Sequence, residues 1–256
     1  MTRRLLLVLA VALIAPVAGC GDGSSDTPVT ASTRSSLSEQ DAPLNLDQAQ
    51  LLAGAQFLNY RNDGADFEMT VGQPKSGSGF TLRGQMDWKQ LIGYAKVTPA
   101  TGEPFEVWWR KDIVIESSPA LASLLAAADR PPVLVGHAPD PKSKPLDRAI
   151  SILLELGSKK RDNPLLVRQK KGSTYLGDEN VRGTSAMVLR YGEINRFWIA
   201  PETGLMLRFA GNSKDRNAAV LVDLLSHGPQ TILAPQSPLV NEQQARMLAR
   251  QFGVGG

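Results

Sequence analysis

Apolar and polar residues alternate along much of the chain after residue 64. Phe67, Met69 and Val71 are separated by polar residues, and a similar period of two runs from Phe80 to Trp88. A period of two places successive side chains on opposite faces of a strand. The pattern therefore predicts antiparallel strands with one apolar face and one solvated face.

The same alternation predicts about eight strands in total. The further predicted strands are 91–97, 105–110, 112–116, 185–191, 197–199, 205–209 and 220–225. Pro201 and Gly204 bound a four-residue turn between two of these strands, which predicts a hairpin.

Apolar residues at spacings of three and four predict helices over 47–60, 120–128, 146–156 and 241–251. Asp47 is the predicted N-cap of the first helix, and the turn at 62–64 ends it. Runs of strands interrupted by helices indicate an α+β fold with an antiparallel sheet.

The first 20 residues predict export. Arg3 and Arg4 precede an apolar run over 5–17, which is too short to cross ~30 Å of hydrocarbon as a helix. This arrangement is typical of a secretory signal over 1–19. The sequence Val17-Ala18-Gly19-Cys20 resembles the bacterial lipobox, and that resemblance implies a diacylglyceryl group on Cys20, the only cysteine. The alternative is an ordinary secretory signal that contains a cysteine.

Composition and charge narrow the possible functions. The net charge of +3 falls to +1 once residues 1–19 are removed, so the basic balance gives no argument for nucleic-acid binding. A single Cys excludes a disulfide framework and a Cys-based metal site. The chain has no phosphate-binding loop, no nucleophile elbow and no distinct carboxylate pair, and we interpret His137 and His227 as structural. We therefore expect a protein without cofactor, metal or enzymatic activity.

The sequence predicts three segments: the signal over 1–19, a Ser-rich flexible tether over 20–46, and a single domain over 47–256. A helical, basic insert is predicted near 120–171. Within it, Lys159, Lys160 and Arg161 form a cluster that is either a solvated surface or a face held near anionic head groups.

Two hairpin motifs carry a family resemblance. The segment Phe80-Thr-Leu-Arg-Gly-Gln-Met-Asp-Trp88 and the segment from Phe197 to Phe209 around Pro201-Glu-Thr-Gly204 resemble the LolA-like and LppX/LprG-like lipoprotein carriers. The resemblance implies a curved antiparallel half-barrel that wraps helices. It also implies that the chain could carry acyl chains or lipoproteins between sheet and helices, as some members of the family do.

Strand parity predicts an apolar ligand cavity between the concave sheet face and the helices. Its predicted lining is Phe80, Leu82, Met86, Trp88, Phe105, Val107, Trp109, Phe197, Ile199, Leu207 and Phe209. The leading hypothesis is a lipoprotein anchored through Cys20 on the outer face of the bacterial cytoplasmic membrane, which binds lipid or lipoprotein cargo. The alternative is an envelope sensor or scaffold that acts by protein–protein contact, with a partner that the sequence does not identify. An extracytoplasmic hydrolase is a third and weaker hypothesis.

Overall fold

The computed structural model describes residues 42–212 and 219–252. The predicted signal, Cys20 and most of the predicted tether lie outside these residues. The described residues belong to one compact unit. Among the described residues, no helix has the length and apolar character needed to cross a membrane.

The described chain contains thirteen strands and five α-helices. The strands are β1 Ala42–Pro43, β2 Gly64–Gln73, β3 Ser78–Asp87, β4 Ile92–Pro99, β5 Phe105–Arg110, β6 Ile113–Ser117, β7 Leu134–His137, β8 Thr174–Val181, β9 Thr184–Tyr191, β10 Asn195–Ile199, β11 Met206–Asn212, β12 Ala219–Leu224 and β13 Leu239–Asn241. The helices are α1 Leu46–Arg61, α2 Pro119–Ala127, α3 Pro145–Glu155, α4 Pro164–Gln169 and α5 Glu242–Phe252.

All thirteen strands belong to one sheet, in the order β1-β8-β9-β10-β11-β12-β2-β3-β4-β5-β6-β7-β13. Every pairing is antiparallel except that of β7 with β13. Most neighbours in the sheet are also neighbours in sequence, although α2 lies between β6 and β7. The sheet is curved and unclosed, and the predicted α+β half-barrel is confirmed.

The N-terminal edge of the domain differs from the prediction. Ala42 and Pro43 pair with β8, and Leu44 is buried in the core. The N-cap of α1 is Asn45, whose side chain accepts a hydrogen bond from the backbone of Gln48 while the Gln48 side chain accepts one from the backbone of Asn45. The described domain therefore includes residues 42–46, which were predicted as tether, and Asp47 lies in the first turn of α1.

Four strands, β1, β7, β8 and β13, and the short helix α4 were absent from the prediction. The predicted helical insert near 120–171 contains the strand β7. In β8 a register shift between Tyr175 and Gly177 interrupts the alternation that predicts strands. Helix α4 has only six residues, with Asn163 as its N-cap and Pro164 in its first turn.

The main core lies between the concave face of the sheet and the helices α1 and α3. Phe67 and Met69 of β2 and Leu82 of β3 are fully buried there, opposite Leu52 of α1 and Leu153 of α3. A smaller cluster on the opposite face joins Val181, Val188 and Trp198. This arrangement decides which predicted residues are available to a ligand.

Candidate functional site

The centre of the concave face is filled by helix α3. Leu82, Met86, Val107 and Trp109, which were predicted to line a cavity, are each at most 1% exposed and belong to the main core, as does Ile199. These residues pack within the protein rather than lining the recess described next.

Trp88 contacts α3 and the backbone that follows it in two ways. Its indole Nε1 donates a hydrogen bond to the carbonyl oxygen of Leu153, 2.9 Å away. A Cβ atom placed on Gly157 would lie 2.3 Å from Trp88 Cγ, so the backbone after α3 lies directly on the ring. Trp88 therefore joins the end of β3 to α3 and does not line the recess between α1, α3 and β9–β11.

A recess of about 440 Å³ opens at one end of the same interface, between α1, α3 and the strands β9–β11. We call this recess the concave cleft. Its apolar wall consists of Ile152, Leu156, Tyr191, Ile194, Phe197 and Phe209, and its polar lining includes Gln56, Arg148, Ser151, Glu155 and Asn195. Of the predicted lining residues, Phe197 and Phe209 lie here.

Phe197 and Phe209 face each other across two paired strands. They are register partners in β10 and β11, and their ring centroids lie 5.1 Å apart with the planes inclined by 59°. This tilted geometry is favourable for aromatic pairs. The pair forms an aromatic floor for the concave cleft described above.

A β-bulge explains why Leu207 does not join them. Trp198 pairs with Arg208 but Ile199 pairs with Met206, so β11 has one extra residue at Leu207. Met206 is fully buried in the main core, whereas Leu207 packs against the cluster on the opposite face. The prediction that Leu207 lines the concave face was therefore wrong, because the bulge reverses strand parity.

Phe80 and Phe105 lie at the margin of the main core. Both are partly buried and pack against it, and neither lines the concave cleft.

A second recess lies on the outer face of the sheet, and we call it the outer groove. It has a volume of about 350 Å³ and lies between β4–β7 and the segment 232–239. Its lining includes Trp108, Ile113, Ile115, Leu134 and Leu233, and Leu233 is 75% exposed. The parity of Trp108 predicts the outer face, but segment 232–239 has no periodic pattern that could reveal its position.

Three titratable side chains meet where α3 contacts β6 and β7. Nε2 of His137 lies 3.1 Å from both carboxylate oxygens of Asp147, and Nδ1 lies 3.9 Å from Oε1 of Glu116. The backbone N–H of Asp140 also donates to Asp147, over 2.6 Å. Burial raises the pKa of Glu116, while the charges of His137 and Lys144 act in the opposite direction.

The three groups offer ligand atoms within 4.8 Å of one another, which is the spacing of a potential metal centre. However, existing hydrogen bonds already engage His137 Nε2 and both oxygens of Asp147. We interpret the cluster as a polar clamp that holds α3 on the sheet. Sequence reasoning missed it because its members come from β6, β7 and α3, which only the tertiary fold brings together.

The three predicted basic residues have different environments. Lys159 and Lys160 are exposed. The guanidinium of Arg161 donates a hydrogen bond from Nη2 to the carbonyl oxygen of Gln50, 2.9 Å away, and lies over Gly54 of α1. Arg161 therefore attaches the insert to α1, and the two lysines are the better candidates for contact with a membrane.

No family model and no curated protein sequence matches the chain. Among solved structures, LprF from Mycobacterium bovis is 17% identical with a TM-score of 0.48, and the match covers 77% of this chain and 100% of LprF. The lipoprotein LppX from Mycobacterium tuberculosis is 10% identical with a TM-score of 0.43, and the match covers 73% and 100% of the two chains.

A chain of the MucA/MucB complex of Pseudomonas aeruginosa is 14% identical with a TM-score of 0.35, and the match covers 79% of this chain and 60% of that one. These likenesses show nothing about the activity of this chain.

Proposed function

We propose that this chain is a lipid-anchored extracytoplasmic protein that binds an apolar ligand, a lipid acyl chain, in the concave cleft. The observation that carries the proposal is the recess of about 440 Å³ between α3 and the aromatic floor of Phe197 and Phe209. Ligand pockets typically measure ~300–1,000 Å³ and have mostly apolar linings with a few polar groups.

Two polar side chains of the cleft are already hydrogen-bonded within the protein, which favours an apolar ligand. Gln56 Nε2 already donates to the carbonyl oxygen of Glu155, over 3.0 Å. Arg148 donates from Nη2 to Lys142 and from Nε to Pro141, in both cases to the backbone carbonyl oxygen at 3.0 Å. These groups are engaged within the protein, so the aromatic and aliphatic wall is the surface that a ligand would cover.

The anchor is the second part of the proposal. The sequence around Cys20 supports cleavage after Gly19 and attachment of a diacylglyceryl group, which would hold the domain on the outer face of the cytoplasmic membrane. Acyl chains contribute ~0.8 kcal/mol per buried CH₂, and stable anchoring requires more than one such chain. An anchored domain would meet its lipid ligand at the bilayer surface.

Organic extraction and mass spectrometry of the purified full-length protein would test ligand binding. Ser151 lies in α3 on the wall of the cleft, so Ser151→Trp should fill the recess. We expect a lipid to co-purify with the parent. The amount of this lipid should fall at least about five-fold in Ser151→Trp, because the larger side chain covers the apolar surface of the cleft. The matched control is Thr101→Trp, in an exposed loop. Equal lipid content in the parent, both variants and an unrelated membrane lipoprotein would contradict the proposal.

A sensor or scaffold is the second candidate, and two observations favour it. Helix α3 fills the centre of the concave face, and the outer groove offers apolar surface around Trp108 with Leu233 exposed at its border. A photo-crosslinking amino acid at position 233 would test this candidate in cells. A specific protein adduct together with a lipid-free extract would favour the scaffold over the lipid binder.

A further inference from the structure

Helix α4 presents two adjacent leucines to solvent. Val167 is the buried residue of this helix, at 3% exposure, whereas Leu165 and Leu166 are 54% and 64% exposed. Val167 joins the main core that includes Leu52 of α1. The helix is therefore held in place by its inner side while its outer side carries an unpartnered apolar pair.

Basic residues flank this apolar pair in the sequence. Apart from Arg161, which is hydrogen-bonded to α1, the exposed basic residues of the segment are Lys159, Lys160, Arg168, Lys170 and Lys171. Between Lys159 and Lys171 the sequence has one acidic residue, Asp162. Exposed leucines bordered by lysine and arginine form an amphipathic surface of the kind that binds the interface of an anionic bilayer. We call Leu165, Leu166 and these five cations the docking face.

The chain enters the domain beside the docking face. Ala42 and Pro43 pair with Tyr175 and Thr174 at the start of β8, a few residues after Lys171. The backbone of Ser173 donates to the carbonyl oxygen of Lys170, over 2.9 Å, and so links β8 to the end of α4. The segment from Cys20 to Ala42 can extend to roughly 75 Å at most, so a lipid on Cys20 would keep the domain within that distance of the membrane.

The docking face also adjoins the concave cleft. A gap of about 40 Å³ lies between Leu52, Val167, Tyr191 and Phe197, and Tyr191 and Phe197 line the cleft as well. A bilayer in contact with the outer side of α4 would therefore lie one helix away from the ligand site.

We propose that the docking face binds an anionic lipid bilayer, with Leu165 and Leu166 inserted among the head groups and the five cations near lipid phosphates. This inference rests on the proposed function, because the anchor at Cys20 would hold the domain near the bilayer and the concave cleft would receive a lipid from it. The binding partner of the docking face is a lipid surface for two reasons. Basic residues flank the leucine pair, and the pair lies beside the point where the lipidated segment joins the domain.

The single cysteine makes a direct test possible. In the lipidated protein the sulfur of Cys20 is blocked as a thioether, so Leu165→Cys supplies the free thiol for an environment-sensitive fluorophore. The labelled full-length protein is reconstituted into vesicles of phosphatidylcholine and phosphatidylglycerol, with or without brominated acyl chains. Leu166→Cys is the second reporter, and Ser76→Cys, in an exposed turn between β2 and β3, is the control.

We expect brominated lipid to quench the labels at 165 and 166 by at least about two-fold, since interfacial helices lie ~5–10 Å into the head-group boundary. The label at 76 should be unaffected. Lys170→Glu with Lys171→Glu, or vesicles without phosphatidylglycerol, should abolish most of the quenching, and 1 M salt should weaken it because the Debye length falls to ~3 Å.

Two outcomes would overturn the inference. Labels at 165 and 166 that remain as solvated as the label at 76 would show that no bilayer contacts α4. Labels that are shielded from water but not quenched would place the leucines against protein, either a second copy or another partner. Failure of the proposed anchor is detected separately, because an unlipidated parent would itself react with the fluorophore at Cys20.

Discussion

Trp88, the residue directly after β3, and Leu153 of α3 are joined by a hydrogen bond of 2.9 Å from the indole nitrogen to the carbonyl oxygen. Both residues are at most 1% exposed. The bond fixes the height of α3 above the sheet at the point where a cavity was predicted. The concave cleft lies elsewhere, between α3 and the strands β9–β11, with Leu156 at its border.

Trp88→Phe should destabilise the domain because it removes this donor and leaves a gap beneath α3. Loss of a buried hydrogen-bond partner costs about 1–3 kcal/mol, and the smaller ring loses packing contacts in addition. Urea unfolding followed by circular dichroism would measure the free energy of unfolding. Trp108→Phe is the matched control, since Trp108 lies on the outer face and is only partly buried. Equal losses in the two variants would contradict the role assigned to Trp88.

Gly157→Ala should also lower stability, by about 1–3 kcal/mol, because the new methyl group overpacks against a buried ring. The added Cβ would lie 2.3 Å from Trp88 Cγ, and neither group can move without displacing α3 or the sheet. Gly54→Ala is the comparison: its Cβ would meet the movable end of the Arg161 side chain at 3.3 Å, and alanine favours the helix by about 1 kcal/mol. In thermal unfolding, the Tm of Gly157→Ala should therefore be lower than that of the parent. The Tm of Gly54→Ala should be equal to that of the parent or higher.

Cys20→Ala should prevent lipidation, because no other residue of the chain can form the thioether. We expect uncleaved precursor or released protein in place of an anchored form. Metabolic labelling with a fatty-acid analogue, followed by separation of membranes, measures both effects. Gly23→Ala, which leaves the lipobox intact, is the control. Equal incorporation of label into Cys20→Ala and the parent would eliminate the lipoprotein assignment.

Sequence patterns predict best those strands that have one buried face and one solvent-exposed face. In β2, Phe67, Met69 and Val71 alternate with polar residues, and the structure buries those three as expected. Alternation cannot reveal a bulge, because one extra residue reverses every later position of the strand. This is why Leu207 was placed on the wrong face while Met206 was overlooked.

The location of the candidate site was harder to predict than the strands. Phe197 and Phe209 could be named from parity, but the other cleft residues, such as Ser151 and Tyr191, lie on separate elements that only the tertiary fold brings together. Whether α3 fills or spares a given part of the sheet depends on side-chain contacts such as that of Trp88. Periodicity identifies which face of the sheet is buried, but it does not specify how closely the helices pack against that face.

Glu116→Gln should make stability less sensitive to pH. Burial raises the pKa of Glu116 above its ordinary value of 4.5, so the folded protein retains a proton that the unfolded chain releases. The contribution of Glu116 to folding is therefore complete below pH 4.5 and is lost as the pH rises through the raised pKa of the folded state. Glutamine has nearly the same shape and does not ionise. Relative to the parent, the free energy of unfolding of Glu116→Gln should thus increase from acidic toward neutral pH, as measured by urea titrations at several pH values. Glu103→Gln, in an exposed loop, should show a much smaller trend. A difference between Glu116→Gln and the parent that is constant across this range would show that burial of Glu116 does not control its ionisation.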